Sequence, residues 1–417
     1  ILVLILKKQC KTFEIEHEPK PEIEEGFTNK LKEFKNKKES FKTTTNLNSS
    51  RLKKINNNKL LKNQKEHFDS DDDKDLPAYD HTKLSAVNTC PTWGILRYKM
   101  HKAMPNSARA MALEAGSASH EAFAAVRLYQ YMAFQAKNSV QKNNVDFHGE
   151  ILFKGGRYQR MYDTLSEGAT HRTNAINFAI EAVESCGFYD DITDGRRTLS
   201  NIEESLISYI DAYDMERYPI WIRDPSDPET DIGIEIPYDI VCSIDYEMMK
   251  DSIDSDPYMY SANCTARFTG KLDGLHYNKD ELIIIEEKTG ARLDDSWLSQ
   301  WVLSHQITGY CLAATTFTGL PCNHALVSGM RIPIGKVPAE GIRREYVPRT
   351  PLMFEKWANW FVTTIETIDQ YKDNVVDAPM YTHSCNRYFR SCSFLPFCAC
   401  DSVEDKEHII TEMVDDE

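Results

Sequence analysis

The sequence predicts an α/β fold with a central mixed β-sheet flanked by helices. Three observations carry this. Stretches with the helical period of 3.6 alternate with short β-rich runs, in the order helix, strands, helix, strand. The run ELIIIEEK (281–288) reads as a buried strand whose end carries charge to a rim. No internal repeat interrupts the pattern, which excludes a solenoid.

The elements follow in order. Residues 1–76 are rich in Lys, Asn and Glu, with runs such as KEFKNKKES and SDDDKD and few aromatic residues. Such a segment cannot bury enough apolar surface to offset its ordering entropy. It is expected to be disordered or loosely helical: a solubilising tail, sequence upstream of the mature protein, or a basic arm for nucleic acid. From Pro77 to residue 417 the texture is globular. Residues 107–135 are rich in strong helix formers, and 169–186 and 199–214 also read as helices. The stretch 232–246 alternates as a strand does. Residues 264–273 and 281–288 are two more strands, joined by the turn-like YNKD. One long helix is expected over 295–317, a strand over 325–332 and a helix over 352–371.

With 417 residues, 41% of them apolar, the chain can bury a sizeable core. Its formal net charge of −15 argues against a broad basic surface but leaves room for a local groove. The first residue is Ile1, as expected of a fragment or a trimmed start. The opening ILVLIL is far shorter than the roughly 20 apolar residues that span a bilayer. Lys7 and Lys8 follow that run, whereas a signal peptide has its basic region in front. The chain therefore reads as soluble and cytoplasmic, without a membrane partner. It has no Walker A motif, so any helicase acting with it would be a separate chain.

The most informative segment is GKLDGLHYNKDELIIIEEKTG (270–290). Asp273 ends one strand and Glu286 and Lys288 close the next. Residues 286 and 288 are two apart and so share one face of a strand. Pairing of the two strands brings Asp273 beside them. Two converging carboxylates make a hard site for Mg²⁺ or Mn²⁺. A neighbouring ammonium can orient a water and stabilise charge on a phosphate. The alternative is a surface hairpin with solvated charges. Gln306 and Tyr310, four apart on the next helix, share one of its faces. His120 lies in Gly-Ser-Ala-Ser-His-Glu on an Ala-rich helix, where an imidazole is either a packed core residue or a ligand.

The order Asp, Glu-x-Lys, Gln-x-x-x-Tyr resembles the RecB-like branch of the PD-(D/E)XK nucleases. That resemblance implies a restriction-endonuclease-like core and a metal-dependent deoxyribonuclease, a hydrolase. Asp273, Glu286 and His120 would hold one or two metals, Lys288 would assist the attacking water, and Gln306 and Tyr310 would lie near the DNA. Glu286 stands where Asp is commoner in the family, which moves the carboxylate outward by one methylene. Glu235 resembles an acid often found in the preceding strand. The resemblance further implies an exonuclease acting on single- or double-stranded DNA ends in recombination, repair or phage DNA metabolism. A separate helicase or recombination protein would be its partner. The alternative is a catalytically silent DNA-binding scaffold subunit that keeps the fold.

The eleven cysteines are an odd number and a poor disulfide framework. Three crowd into CNRYFRSCSFLPFC as Cys385, Cys392 and Cys398, and Cys90 sits far upstream in NTCPTWG. Four thiolates suit a [4Fe–4S] cluster or a structural Zn²⁺. One ligand before the core and three after it resembles the AddB-type and CRISPR-associated members of the same branch, where an iron–sulfur cluster clips the C-terminal segment to the start of the domain. Here six residues separate Cys385 from Cys392 where those relatives have two, a spacing similar to that of phage-encoded relatives, which would act in the host cytoplasm. Cys400 competes for the fourth position. The other cysteines read as inert.

Overall fold

The computed structural model describes residues 74–104, 115–127, 171–185, 198–213, 218–223, 232–250, 258–290, 292–332, 341–387 and 390–415. The low-complexity expectation for 1–76 lies outside these residues up to 73, as do both ends of the expected helix 107–135. Its described middle, 115–127, is helical.

In chain order the elements are β1 (Ala78–Tyr79), α1 (His81–Thr89), α2 (Pro91–Tyr98), β2 (Lys102–Ala103), α3 (115–127), α4 (His171–Ser185), α5 (Leu199–Ala212), β3 (Ile234–Lys250), β4 (Tyr258–Asn278) and β5 (Glu281–Gly290). Then come α6 (Asp295–Val302), α7 (His305–Thr318), β6 (Cys322–Arg331), β7 (Ile342–Pro348), α8 (Pro351–Tyr371), α9 (Leu395–Cys398) and α10 (Val403–Glu412). The sheet runs β1-β4-β5-β6-β7, with β3 also paired to β4. β5 pairs antiparallel with β4 and parallel with β6, so the sheet is mixed as the sequence predicts. Its centre is β5, where Leu282, Ile283, Ile284 and Ile285 are all at most 1% exposed.

Helices pack on this frame by their apolar stripes. α7 packs on β5 and β6, and α8 packs on α7 and α1. Phe123, Val183, Ile202, Leu206 and Ile210 of α3, α4 and α5 form one cluster with Met330 of β6. Ile95 and Leu96 of α2 join Phe394, Phe397 and Met413 in another. Side-chain hydrogen bonds tie the start of the domain to its later part, among them Thr92 Oγ1 donating to the Ala378 carbonyl at 2.9 Å and Ser384 Oγ to that of Thr89 at 2.7 Å.

The expected single helix over 295–317 is two. Ser304 adopts an extended conformation, and its hydroxyl accepts from the Ile307 amide, which starts α7 anew. The buried Arg349 guanidinium takes the carbonyls that α6 leaves open, donating to Trp301 O at 2.8 Å and Val302 O at 2.9 Å. α7 ends at Gly319, whose φ of 74° is the left-handed cap that lets the chain turn into β6.

Residues 243–264 belong to a second compact unit. Within it Asn263 Nδ2 donates to Ser243 Oγ at 3.0 Å and to Asp245 Oδ1 at 2.9 Å. Among the described residues no helix is long and apolar enough to cross a membrane.

Candidate metal centre

Asp273 and Glu286 meet because β4 and β5 form a hairpin. Gly274 stands opposite Ile285, which sets Asp273 beside Glu286. Asp273 Oδ2 accepts the Glu287 amide at 3.0 Å, while Oδ1 faces His120 Nδ1 at 3.4 Å. His120 comes from α3, which crosses this end of the sheet. Seven residues further along the same helix, Arg127 donates to the Asp273 carbonyl and pairs with Glu287. Tyr209 of α5 donates to the other Glu287 oxygen at 3.2 Å.

The third carboxylate of the centre is Glu235. His120, Glu235 and Asp273 offer ligand atoms within 4.8 Å of one another. Glu235 sits at φ 48°, a left-handed conformation that costs a non-glycine residue on the order of 1–3 kcal/mol. The strain is held by the backbone around it. Gly233 donates to Trp221 O at 2.7 Å and accepts from the Leu275 amide at 2.8 Å. This irregular start of β3 buries the Glu235 side chain, where Lys271 pairs with it.

Glu286 is fully buried and stands outside that set. Lys288 pairs with its Oε1, and Oε2 is buried without a hydrogen-bond partner among the described residues. Burial and the Asp273 charge push the Glu286 carboxyl up to about 7, against the pull of Lys288 and His120. Burial works against the Lys288 charge, but Glu286 and Asp273 outweigh it and its pKa is raised. Burial likewise opposes ionisation of Asp273, yet His120, Lys288 and Arg127 hold it below the usual range. His120 is raised because Asp273 overcomes its burial. Gln306 Nε2 donates to the Tyr310 hydroxyl at 2.9 Å. Burial, then Glu286 and Asp273, raise the Tyr310 pKa, which places the phenol beside the same carboxylates.

The fold thus brings His120, Asp273, Glu286, Lys288, Gln306 and Tyr310 to one end of the sheet. A divalent cation fits here on two grounds. The donors are hard oxygens with one imidazole, and an unsatisfied buried carboxylate oxygen lies beside them. Arg127 and Tyr209 are the supporting residues that sequence reasoning missed. The available signal was the spacing of Arg127 at i+7 from His120, which puts both on one helix face.

The four thiols converge elsewhere. Cys90 closes α1 and opens α2 in extended conformation, ahead of Pro91. The Cys392 amide donates to Cys385 O at 2.7 Å. Burial, then Cys90, Cys392 and Cys385, push the Cys398 thiol up to about 11. Cys400 instead donates to Pro396 O at 3.3 Å.

A mixed sheet thus carries acids, a lysine and an imidazole at one end, the donor set of a divalent-cation site. The chain belongs to the PD-(D/E)XK nuclease superfamily, whose family model matches residues 81–399. No curated protein sequence matches it. Among solved structures, the crystal structure of SSO0001 is similar at 12% identity with a TM-score of 0.21. That match covers 38% of this chain and 58% of the other, too loose a likeness to bear on fold or function.

Proposed function

We propose that the chain is a RecB-like DNA exonuclease, acting on DNA ends in recombination, repair or phage DNA metabolism, with a [4Fe–4S] cluster clipping its C-terminal segment. The observation that carries the nuclease reading is the convergence of His120 and Asp273 with Glu286 and Lys288. His120, Asp273 and Glu286, with Glu235 beside them, would hold Mg²⁺ or Mn²⁺. The imidazole among oxygens favours Mn²⁺. When bound, the metal supplies Lewis acidity toward the phosphate and its attacking water. The Lys288 ammonium, held charged by its carboxylate neighbours, orients that water and stabilises charge developing on the phosphate. Gln306 and Tyr310 steer the strand past the carboxylates.

Cys90, Cys385, Cys392 and Cys398 are the cluster ligands. The support for iron–sulfur over tetrahedral Zn²⁺ is the resemblance in cysteine layout, one thiol ahead of the core and three behind it.

The test is cleavage of end-labelled single- and double-stranded DNA, and of closed circles, with Mn²⁺ or Mg²⁺, alongside iron and zinc analysis. Shortening from ends, loss of about 10²–10³-fold in Lys288→Ala and stoichiometric iron are expected. Intact DNA under all conditions would leave a silent scaffold subunit. Cut circles would make it an endonuclease, and zinc without iron would replace the cluster.

A further inference from the structure

Three packed aromatic rings, one of them adjacent in sequence to Gln306, take no part in the chemistry above. The His305 ring stacks on Trp360 with centroids 4.7 Å apart and planes 10° from parallel. His81 lies against the same indole at 5.7 Å and 34°. The rings come from three helices that pack together, His81 at the first position of α1, His305 at the first of α7 and Trp360 on α8. His305 is the residue before Gln306. Gln306 in turn bonds Tyr310, which ties the group to the metal-centre end of α7.

The rings are half-buried, unlike the core aromatics Phe268, Trp357 and Phe361 behind them. Leu303, two residues before His305, is 74% exposed and adds an apolar rim to the same turn. Burial holds His81 at about 4 and His305 below its ordinary value, so both are uncharged at neutral pH. An uncharged ring face at the edge of a phosphodiester-cleaving site suits the flat, apolar part of a nucleotide, not its phosphate.

We infer that His305 and Trp360, supported by His81, form a stacking platform for one nucleobase of the DNA strand being cut. The inference rests on the nuclease reading and deepens it. Stacking tolerates any base, because every base presents a π face. The platform would hold the strand in register while Lys288 meets the phosphate.

The test uses the full chain and fluorescein-labelled single-stranded oligonucleotides. Binding is read by anisotropy with EDTA present, so that nothing is cut. Trp360→Ala and His305→Ala are expected to weaken binding about tenfold, whereas Trp360→Phe retains it. An abasic site at one position of the oligonucleotide should cost the wild type a similar factor and cost the Ala variants little more. With Mn²⁺, KM should rise more than kcat falls. Where Trp360→Ala melts early, His305→Ala, on the first turn of its helix, decides. Equal binding by wild type and both Ala variants, including none at all, overturns the inference. So do abasic losses that add in full to those of the variants. Lys288→Ala that binds as the wild type does but cannot cut separates this outcome from failure of the catalytic assignment.

Discussion

The Glu287 amide donates to Asp273 Oδ2 at 3.0 Å, so a backbone group of one strand fixes a carboxylate of the next. Asp273 thereby keeps Oδ1 aimed at His120. The Glu287 side chain leaves by the opposite face, where it pairs with Arg127, itself bonded to the Asp273 carbonyl. The brace and the site are thus built from alternate residues of one strand.

Removing half of that brace should be worse than removing all of it. Arg127→Met leaves the Glu287 charge buried, with both pair members 3% exposed, at a cost of about 3–5 kcal/mol. Arg127→Met combined with Glu287→Leu should recover most of the loss in urea unfolding. A double variant as weak as the single one would show that the pair does more than neutralise itself.

Gly309→Ala should destabilise the protein although alanine is the better helix former. A Cβ there would meet Phe268 Cζ at 2.8 Å and Trp357 Nε1 at 2.9 Å, both in the core. Overpacking of this kind costs about 1–3 kcal/mol, more than the roughly 1 kcal/mol that helix propensity returns. The thermal midpoint should fall, and DNA cleavage with it, because α7 also carries Gln306 and Tyr310. A raised midpoint would mean that the helix can move away from the sheet.

Acid should unfold the protein partly through His276. Its ring is buried, Nδ1 lies 2.8 Å from Tyr218 O, and Nε2 has no partner among the described residues. Burial, then the Arg127 charge, push it down to about 3. Above the unfolded value of about 6.5 both states are neutral and its stability contribution is intact. As pH falls from there toward 3 the unfolded chain binds a proton that the folded one refuses, and stability is lost. Urea melts of His276→Gln across this window should show a slope smaller by about one proton. Identical slopes would assign the acid sensitivity to other groups.

Cys90→Ala should lower both the melting temperature and the iron content of anaerobically purified protein, whereas Cys400→Ala should change neither. A clip across nearly three hundred residues is worth roughly 4–5 kcal/mol by the loop-entropy estimate for a disulfide. Unchanged melting and iron in Cys90→Ala would remove it from the ligand set.

Local chemistry made most of the fold legible. The LIII run marked the central strand, and the spacing of Glu286 and Lys288 marked a shared face. Helices over 171–185, 199–212 and 351–371 lie within a few residues of the expected bounds. The misses are tertiary. The break at Ser304 depends on Arg349, 45 residues away, and α1, α2, β7 and α10 were too short or too weakly periodic to stand out. Glu235 acquires its meaning from a positive φ that no side-chain pattern announces. The His81–Trp360–His305 group joins three helices remote in sequence, and no linear motif contains it.

The bonds of Thr92 to Ala378 and Ser384 to Thr89 join residues 286 and 295 positions apart. A ribosome delivers the hairpin of Asp273 and Glu286 long before either bond can form. Polypeptides halted ahead of Ala378 should therefore be readily proteolysed around α1 and unable to cleave DNA, and protease resistance in such a halted product would refute this. Competence to cut would then arrive only after the chain has been extended past Ser384.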